Sequence, residues 1–135
     1  AASDTELIYH LATWLDGNYE NYKKGFDSNE FMDIKNVMEC LKVTCLPVHD
    51  GTIRLLKEKG LWTPDHDRRQ AVNLAMVDAY IKAYPEAIKL AESKGIKIDP
   101  TNRAWIDLWE GYKRERHLPR FGLHQSLTVE YGERY

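Results

Sequence analysis

The stretch Leu46–Asp67, read as LPVHDGTIRLLKEKGLWTPDHD, constrains the fold more than any other part of the chain. Pro47 disfavours helical geometry at Leu46, so a helix arriving from upstream must stop there. Asp50-Gly51 is turn chemistry. Thr52–Lys59 then reads as a short helix, with Ile53, Leu55 and Leu56 inward and Arg54, Lys57, Glu58 and Lys59 outward. Its basic last turn and Gly60 suit a helix C-terminus. Leu61 and Trp62 follow as apolar anchors. Thr63 is a good N-cap, Pro64 fits the first helical position, and Asp65 and Asp67 put negative charge at the positive end of the helix dipole. Pro47, Gly51, Gly60 and Trp62 are therefore expected to be structural anchors of a fixed corner.

Upstream, Ser3-Asp-Thr-Glu6 has the form of a capping box. Leu7, Ile8, Leu11, Ala12, Trp14, Leu15 and Tyr19 recur at helical spacing behind it. The pattern predicts one helix over about 4–24, weakened near Gly17-Asn18 and closed by Gly25. Asp27-Ser-Asn-Glu30 is a second capping signal. Phe31, Ile34, Val37, Met38 and Leu41 then share one face of a second helix.

Downstream of Pro64, Ala71, Leu74, Ala75, Asp78 and Ile81 mark one stripe, and Val72, Met76, Ala79, Tyr80 and Ala83 widen it. A stripe this wide suits a helix packed on two sides. Pro85 lacks an amide hydrogen, so it is expected to kink or divide this helix. Gly95 closes the segment, and Ile96–Ile98 is a short extended link. Asp99-Pro100-Thr101 opens a last helix in which Trp105, Leu108, Trp109 and Tyr112 fall at i, i+3, i+4 and i+7. Trp105 and Trp109, one turn apart, are expected as a core anchor. Beyond Arg116, Pro119 and Gly122 predict irregular chain, and Leu127, Val129 and Tyr131 alternate as in a short strand. The expected architecture is mainly α: five or six helices over 1–116 with an extended tail, 117–135, carrying one strand.

At 135 residues the chain is one domain's worth. A formal net charge of -2 and mixed acidic and basic residues argue against a general nucleic-acid binder. No apolar run approaches the roughly 20 residues that span a bilayer. No signal peptide is read, and Ala1-Ala2-Ser3 suits either a mature N-terminus or an arbitrary boundary.

Candidate chemistry is sparse. His49-Asp50 and Asp65-His66-Asp67 invite a metal hypothesis, but no HxxxH or HxxE pair places ligands on one helical face. Asp65 and Asp67 are explained by the helix dipole, so neither a metal site nor a cofactor is expected. Cys40 or Cys45 with His49 matches no protease spacing, and no Gly-rich phosphate loop or GxSxG elbow is present. No enzyme activity is expected. Cys40 and Cys45 are too far apart for CxxC logic. Two buried free thiols are the simpler reading, with a bridge open in an oxidising compartment. Asn18–Tyr22 could line a ligand pocket or form the outer face of a helix end, which makes Tyr19 and Tyr22 candidate ligand residues.

At Leu46–Trp62 the chain resembles the C-terminal part of the solute receptors of TRAP transporters, in the TAXI branch. Those receptors carry a Pro-Leu-His-Pro-Gly-Ala corner, a helix ending Lys-Glu-x-Gly, and often a Trp-Thr-Pro start. Here Pro47-Val-His-Asp-Gly-Thr52, Lys57-Glu-Lys-Gly60 and Trp62-Thr-Pro64 stand at those places. Asp4–Tyr9, Trp14–Tyr22 and Trp105–Tyr112 resemble further helices of the family, so the likeness covers about 4–116. Asp50 departs from the family's proline. The family's receptors are much longer and close two α/β lobes on a small carboxylate-bearing solute.

The resemblance implies a periplasmic chain that contributes helices to one lobe and binds solute only with the missing N-terminal portion. It implies His49 as a corner residue and a weak ligand candidate. The alternative is a stand-alone helical interaction module that self-associates or docks on a partner through an apolar face and the terminal strand.

Overall fold

A computed structural model describes residues 4–118. They form six α-helices: α1 (Thr5–Gly17), α2 (Tyr19–Tyr22), α3 (Ile34–Leu41), α4 (Asp50–Glu58), α5 (Pro64–Ser93) and α6 (Arg103–Glu115). A single 3-10 turn, Asp27–Phe31, lies between α2 and α3. The protein is mainly α-helical, and no strand occurs among the described residues. The strand signal at Leu127–Tyr131 lies outside them.

Several boundaries differ from the sequence expectation, among them the start of α4, which takes in Asp50 and Gly51 where the sequence predicts a turn before a helix at Thr52. The helix expected over 4–24 breaks at Asn18, whose side-chain amide donates to the Trp14 carbonyl at 2.9 Å and caps α1. The N-cap of α1 is Asp4, accepting from the Glu6 amide at 2.8 Å. Asp27 starts only the 3-10 turn. Asp33 caps α3, its carboxylate accepting from the Asn36 amide at 2.6 Å. Pro85 neither divides nor ends α5, which runs 30 residues through it, about 45 Å. Its missing amide costs one hydrogen bond to Ile81, and Ala83, Ala87 and Ala91, all buried against α6, hold the helix on both sides.

The helix stops follow one scheme. After α4, Gly60 takes φ 69°, its amide donates to Lys57 O and the Leu61 amide to Leu56 O. After α5, Gly95 at φ 64° is followed by Ile96 N–H donating to Ala91 O. Both are Schellman caps, in which glycine occupies left-handed geometry without a Cβ penalty. After α6, His117 holds the same geometry at φ 53°, and the Leu118 amide donates to Lys113 O. Leu118 is thereby turned into the core.

Two packing units result. In the first, α1 and α4 run in the same sense, with Gly51 set against Thr5–Tyr9 and Lys59 paired to Asp16 at 2.6 Å. Arg54 donates to Glu6 at 2.8 Å and to Glu58 at 3.2 Å while its guanidinium lies 3.9 Å from the Tyr9 ring centre. Tyr9 Oη donates to Glu58 at 2.7 Å, which lowers the Glu58 carboxyl below its ordinary range and raises the Tyr9 phenol. In the second, α6 folds back on α5. Trp105, Tyr112 and Leu118 are buried on Ala83, Ala87 and Ala91. Trp109 is only half-buried, stacked on Trp105 at 6.2 Å and edge-on to Tyr84 at 5.4 Å and Tyr80 at 6.0 Å.

Gly51 carries the tightest contact. A Cβ there would lie 2.5 Å from Thr5 O and 2.6 Å from Tyr9 N, both main-chain atoms of α1. Gly51→Ala is expected to destabilise the fold by about 1–3 kcal/mol or more, as for overpacking. Gly17→Ala, where a Cβ meets nothing within 4 Å, should be neutral or stabilise by up to about 1 kcal/mol. Urea unfolding of the two variants checks this, and a neutral Gly51→Ala would refute the close approach. In the second unit, Trp105→Ala should cost about 3–5 kcal/mol, and more than Trp109→Ala.

Candidate interaction surface

The side chains with chemical potential are spread over the fold rather than gathered. His49 is the N-cap of α4, its Nδ1 accepting from the Gly51 amide at 3.2 Å. Tyr19 Oη donates to the Glu30 carbonyl at 2.6 Å, and Tyr22 Oη donates to the Leu15 carbonyl at 3.0 Å. Both hydroxyls thus tie the α2 corner to its neighbours. Cys40 is exposed and Cys45 half-buried, both free thiols rather than buried ones. Among the described residues no group of three His, Cys, Asp or Glu is placed to hold a metal ion. No described helix is long and apolar enough to cross a membrane.

Two concavities stand out. The larger, about 710 Å³, is an open cleft around the 3-10 turn, lined in part by Tyr19, Lys23, Lys24, Phe26, Phe31 and Asn36. Tyr19 is spent on Glu30 O, and Lys23 is paired to Glu20 at 2.5 Å. The smaller, about 10 Å³, lies where α5 meets the segment Thr44–Val48 and is no larger than a water molecule.

That small cleft is the seam of a polar stitch. Gln70 makes a two-way bond with Val48: its Oε1 accepts from the Val48 amide at 2.8 Å and its Nε2 donates to the Val48 carbonyl at 2.7 Å. Asn73 Nδ2 donates to Leu46 O at 3.2 Å, and Arg69 donates to Thr44 O. Arg69 and Asn73 are buried, as is His66 one turn earlier. A loop without secondary structure leaves main-chain groups unpaired, and these side chains supply the partners. Sequence reasoning missed them because a polar residue on a helix reads as outward-facing. The only available signal was their i, i+3, i+4, i+7 spacing from His66 to Asn73.

His66 also closes the start of α5. Its Nδ1 accepts from the Thr63 amide at 3.1 Å and lies 2.7 Å from Thr63 Oγ1, so that nitrogen carries no proton. The ring lies 5.1 Å from Trp62, whose indole N–H donates to Asp67 at 2.7 Å. Burial lowers the His66 pKa from its ordinary 6.5, against the opposite pull of Asp65 and Asp67.

The exposed apolar residues are more organised than the polar ones. On α1, Leu7, Leu11 and Trp14 are 62%, 49% and 56% exposed, and they fall at i, i+4 and i+7. On α5, Leu74, Ile81 and Tyr84 are 47%, 64% and 43% exposed, with half-buried Val77 between them. The sequence pattern placed Leu74 and Ile81 on a packed stripe. The structure buries the expected Met76 and Ala83, adds Ala87, Ala91, His66, Arg69 and Asn73, and leaves the Leu74–Ile81 side uncovered by the described residues. Contiguous apolar stripes on two helices are the mark of an interaction surface. Compared with known proteins, the chain matches no family model, no curated protein and no solved structure.

The histidine yields a pH dependence. Because the folded pKa of His66 lies below 6.5, its neutral state stabilises the fold fully above that pH. The contribution is lost as pH falls from 6.5 toward the lowered folded value, since the unfolded chain takes up the proton first. His66→Asn, whose Oδ1 can still accept from Thr63 N–H, is expected to flatten this part of the stability profile. Urea midpoints from pH 8 to 5 for both proteins test it, and identical slopes would show that His66 is not the group responsible.

Proposed function

We propose that the chain is a helical interaction module, whose work is to assemble through the apolar stripes of α1 and α5. The observation that carries this is the exposed set Leu7, Leu11 and Trp14 on α1 and Leu74 and Ile81 on α5, with Tyr84 exposed beside its contacts to Trp105 and Trp109. Burying such side chains is worth about 1.5–3 kcal/mol each. The described polar groups work mainly inside the fold: His49 and Asp33 cap helices, Gln70 and Asn73 bind a loop, and the Tyr19 and Tyr22 hydroxyls bind carbonyls.

A second reading draws on the resemblance of Leu46–Trp62 to the corner of a TAXI-type receptor. On that reading the chain is a periplasmic component that lends helices to one lobe of a solute receptor, and its apolar stripes wait for sheets of the missing portion. What supports it is the sequence of the corner, together with the structural use of His49 as a cap and Gly51 as a close-packing site.

Light scattering after size exclusion, with the apolar dye ANS as a second readout, tests the first reading. The wild-type chain is expected to run above its single-chain mass of 15.8 kDa, and the Leu11→Glu, Ile81→Glu double variant at that mass. Single-chain mass and equal, low dye fluorescence for both would refute it. A monomer that binds dye through these stripes would favour the receptor reading.

A further inference from the structure

The exposed apolar residues of α5 are not scattered. Leu74, Val77, Ile81 and Tyr84 follow the alternating three- and four-residue steps of a coiled-coil seam, which ends at Tyr84, where one side of the ring meets Trp105 and Trp109 and the next position, Ile88, packs on the α5–α6 core. A seam of this spacing is complementary to another helix with the same spacing. We infer that α5 pairs with the α5 of a second copy of this chain, antiparallel, through Leu74, Val77, Ile81 and Tyr84. This rests on the interaction-module reading and names its partner and its register.

Charge selects the second copy and its direction. Asp78 and Lys82 are both exposed and lie on the same flank of the seam, and none of the ion pairs among the described residues engages either one. In an antiparallel pair, like flanks meet. Setting Leu74 against Tyr84 of the other copy and Val77 against its Ile81 brings each Asp78 alongside the other copy's Lys82. The two-fold axis then repeats both the apolar layers and the ion pairs. In a parallel pair, the flank bearing Asp78 would meet the side that carries Arg69, Asn73, Tyr80 and Ala87, where Arg69 is buried and donates to the Thr44 carbonyl.

The seam spans ten residue steps, about 15 Å of helix. Pro85 lies just past Tyr84, the last layer of the seam. The most exposed member, Ile81, sits near the middle, where an anchor excludes water best.

Sedimentation equilibrium of the whole chain over micromolar to millimolar concentration, with reductant to keep Cys40 and Cys45 from cross-linking, tests the inference. A wild-type dimer is expected. Ile81→Glu should weaken it by about 100-fold or more, and Asp78→Lys by about 10-fold, with circular-dichroism melts unchanged. The exchange Asp78→Lys with Lys82→Asp should restore the wild-type constant, which a merely structural effect would not do.

A wild-type chain that is monomeric throughout overturns the inference. A dimer dissolved by Leu11→Glu but not by Ile81→Glu also overturns it, while leaving the interaction-module reading standing. A dimer lost in Asp78→Lys and not recovered in the exchange overturns the antiparallel register.

Discussion

The structure depends on the pairing of helix side chains with bare main chain where α5 meets Thr44–Val48. Gln70 answers both the N–H and the C=O of Val48, and Asn73 and Arg69 take the carbonyls of Leu46 and Thr44. Without these bonds the connection between α3 and α4 would carry half-buried polar groups with no partner, at about 1–3 kcal/mol each. With them, the loop is fixed on α5, and α4 is set down beside it in one orientation. Helix α1 then docks on α4 at Gly51, so the first half of the fold is referred to the long helix through a few amide groups.

The same helix serves the second half with different chemistry. Its later turns present small residues, Ala83, Ala87 and Ala91, on which Trp105 and Tyr112 pack. Small residues on one partner and large rings on the other interdigitate without voids. Tyr112 Oη donates to Glu86 at 2.5 Å, so its polar tip is satisfied, and its phenol is raised by that carboxylate. A single helix thus changes along its length from a polar stitch to an apolar bed. That explains why its sequence shows a broad stripe rather than one clean face.

The fold class and much of the punctuation were legible in the sequence. Gly60 and Gly95 stop helices in the left-handed geometry their residue type allows, and Thr63-Pro64 opens α5. The direction in which α5 faces was not legible. Periodicity finds apolar stripes but does not rank them: Met76 and Ala83, on the wide side of the expected stripe, are buried, whereas Leu74 and Ile81 are exposed and three polar residues take the inward places. Pro85 does not divide α5, because its local cost is fixed and packing on both sides outweighs it. For the candidate surface, the residues were visible in the sequence, but their exposure follows from which neighbours α5 accepts.

The contact at Gly51 has a consequence for the order of assembly. The α5–α6 pair and the α5–loop stitch each close only some twenty-five residues of chain, as Tyr112 with Glu86 and Asn73 with Leu46 show. Docking of α1 on α4 joins partners almost twice as distant, Arg54 with Glu6 at a separation of 48. A longer loop costs more entropy to close, and α1 has no fully buried side chain with which to offset it. That longer closure costs about 0.6 kcal/mol more. Helix α1 offsets it instead through its broad contact with α4, set by the backbone approach at Gly51, so its docking waits on α4 being in place.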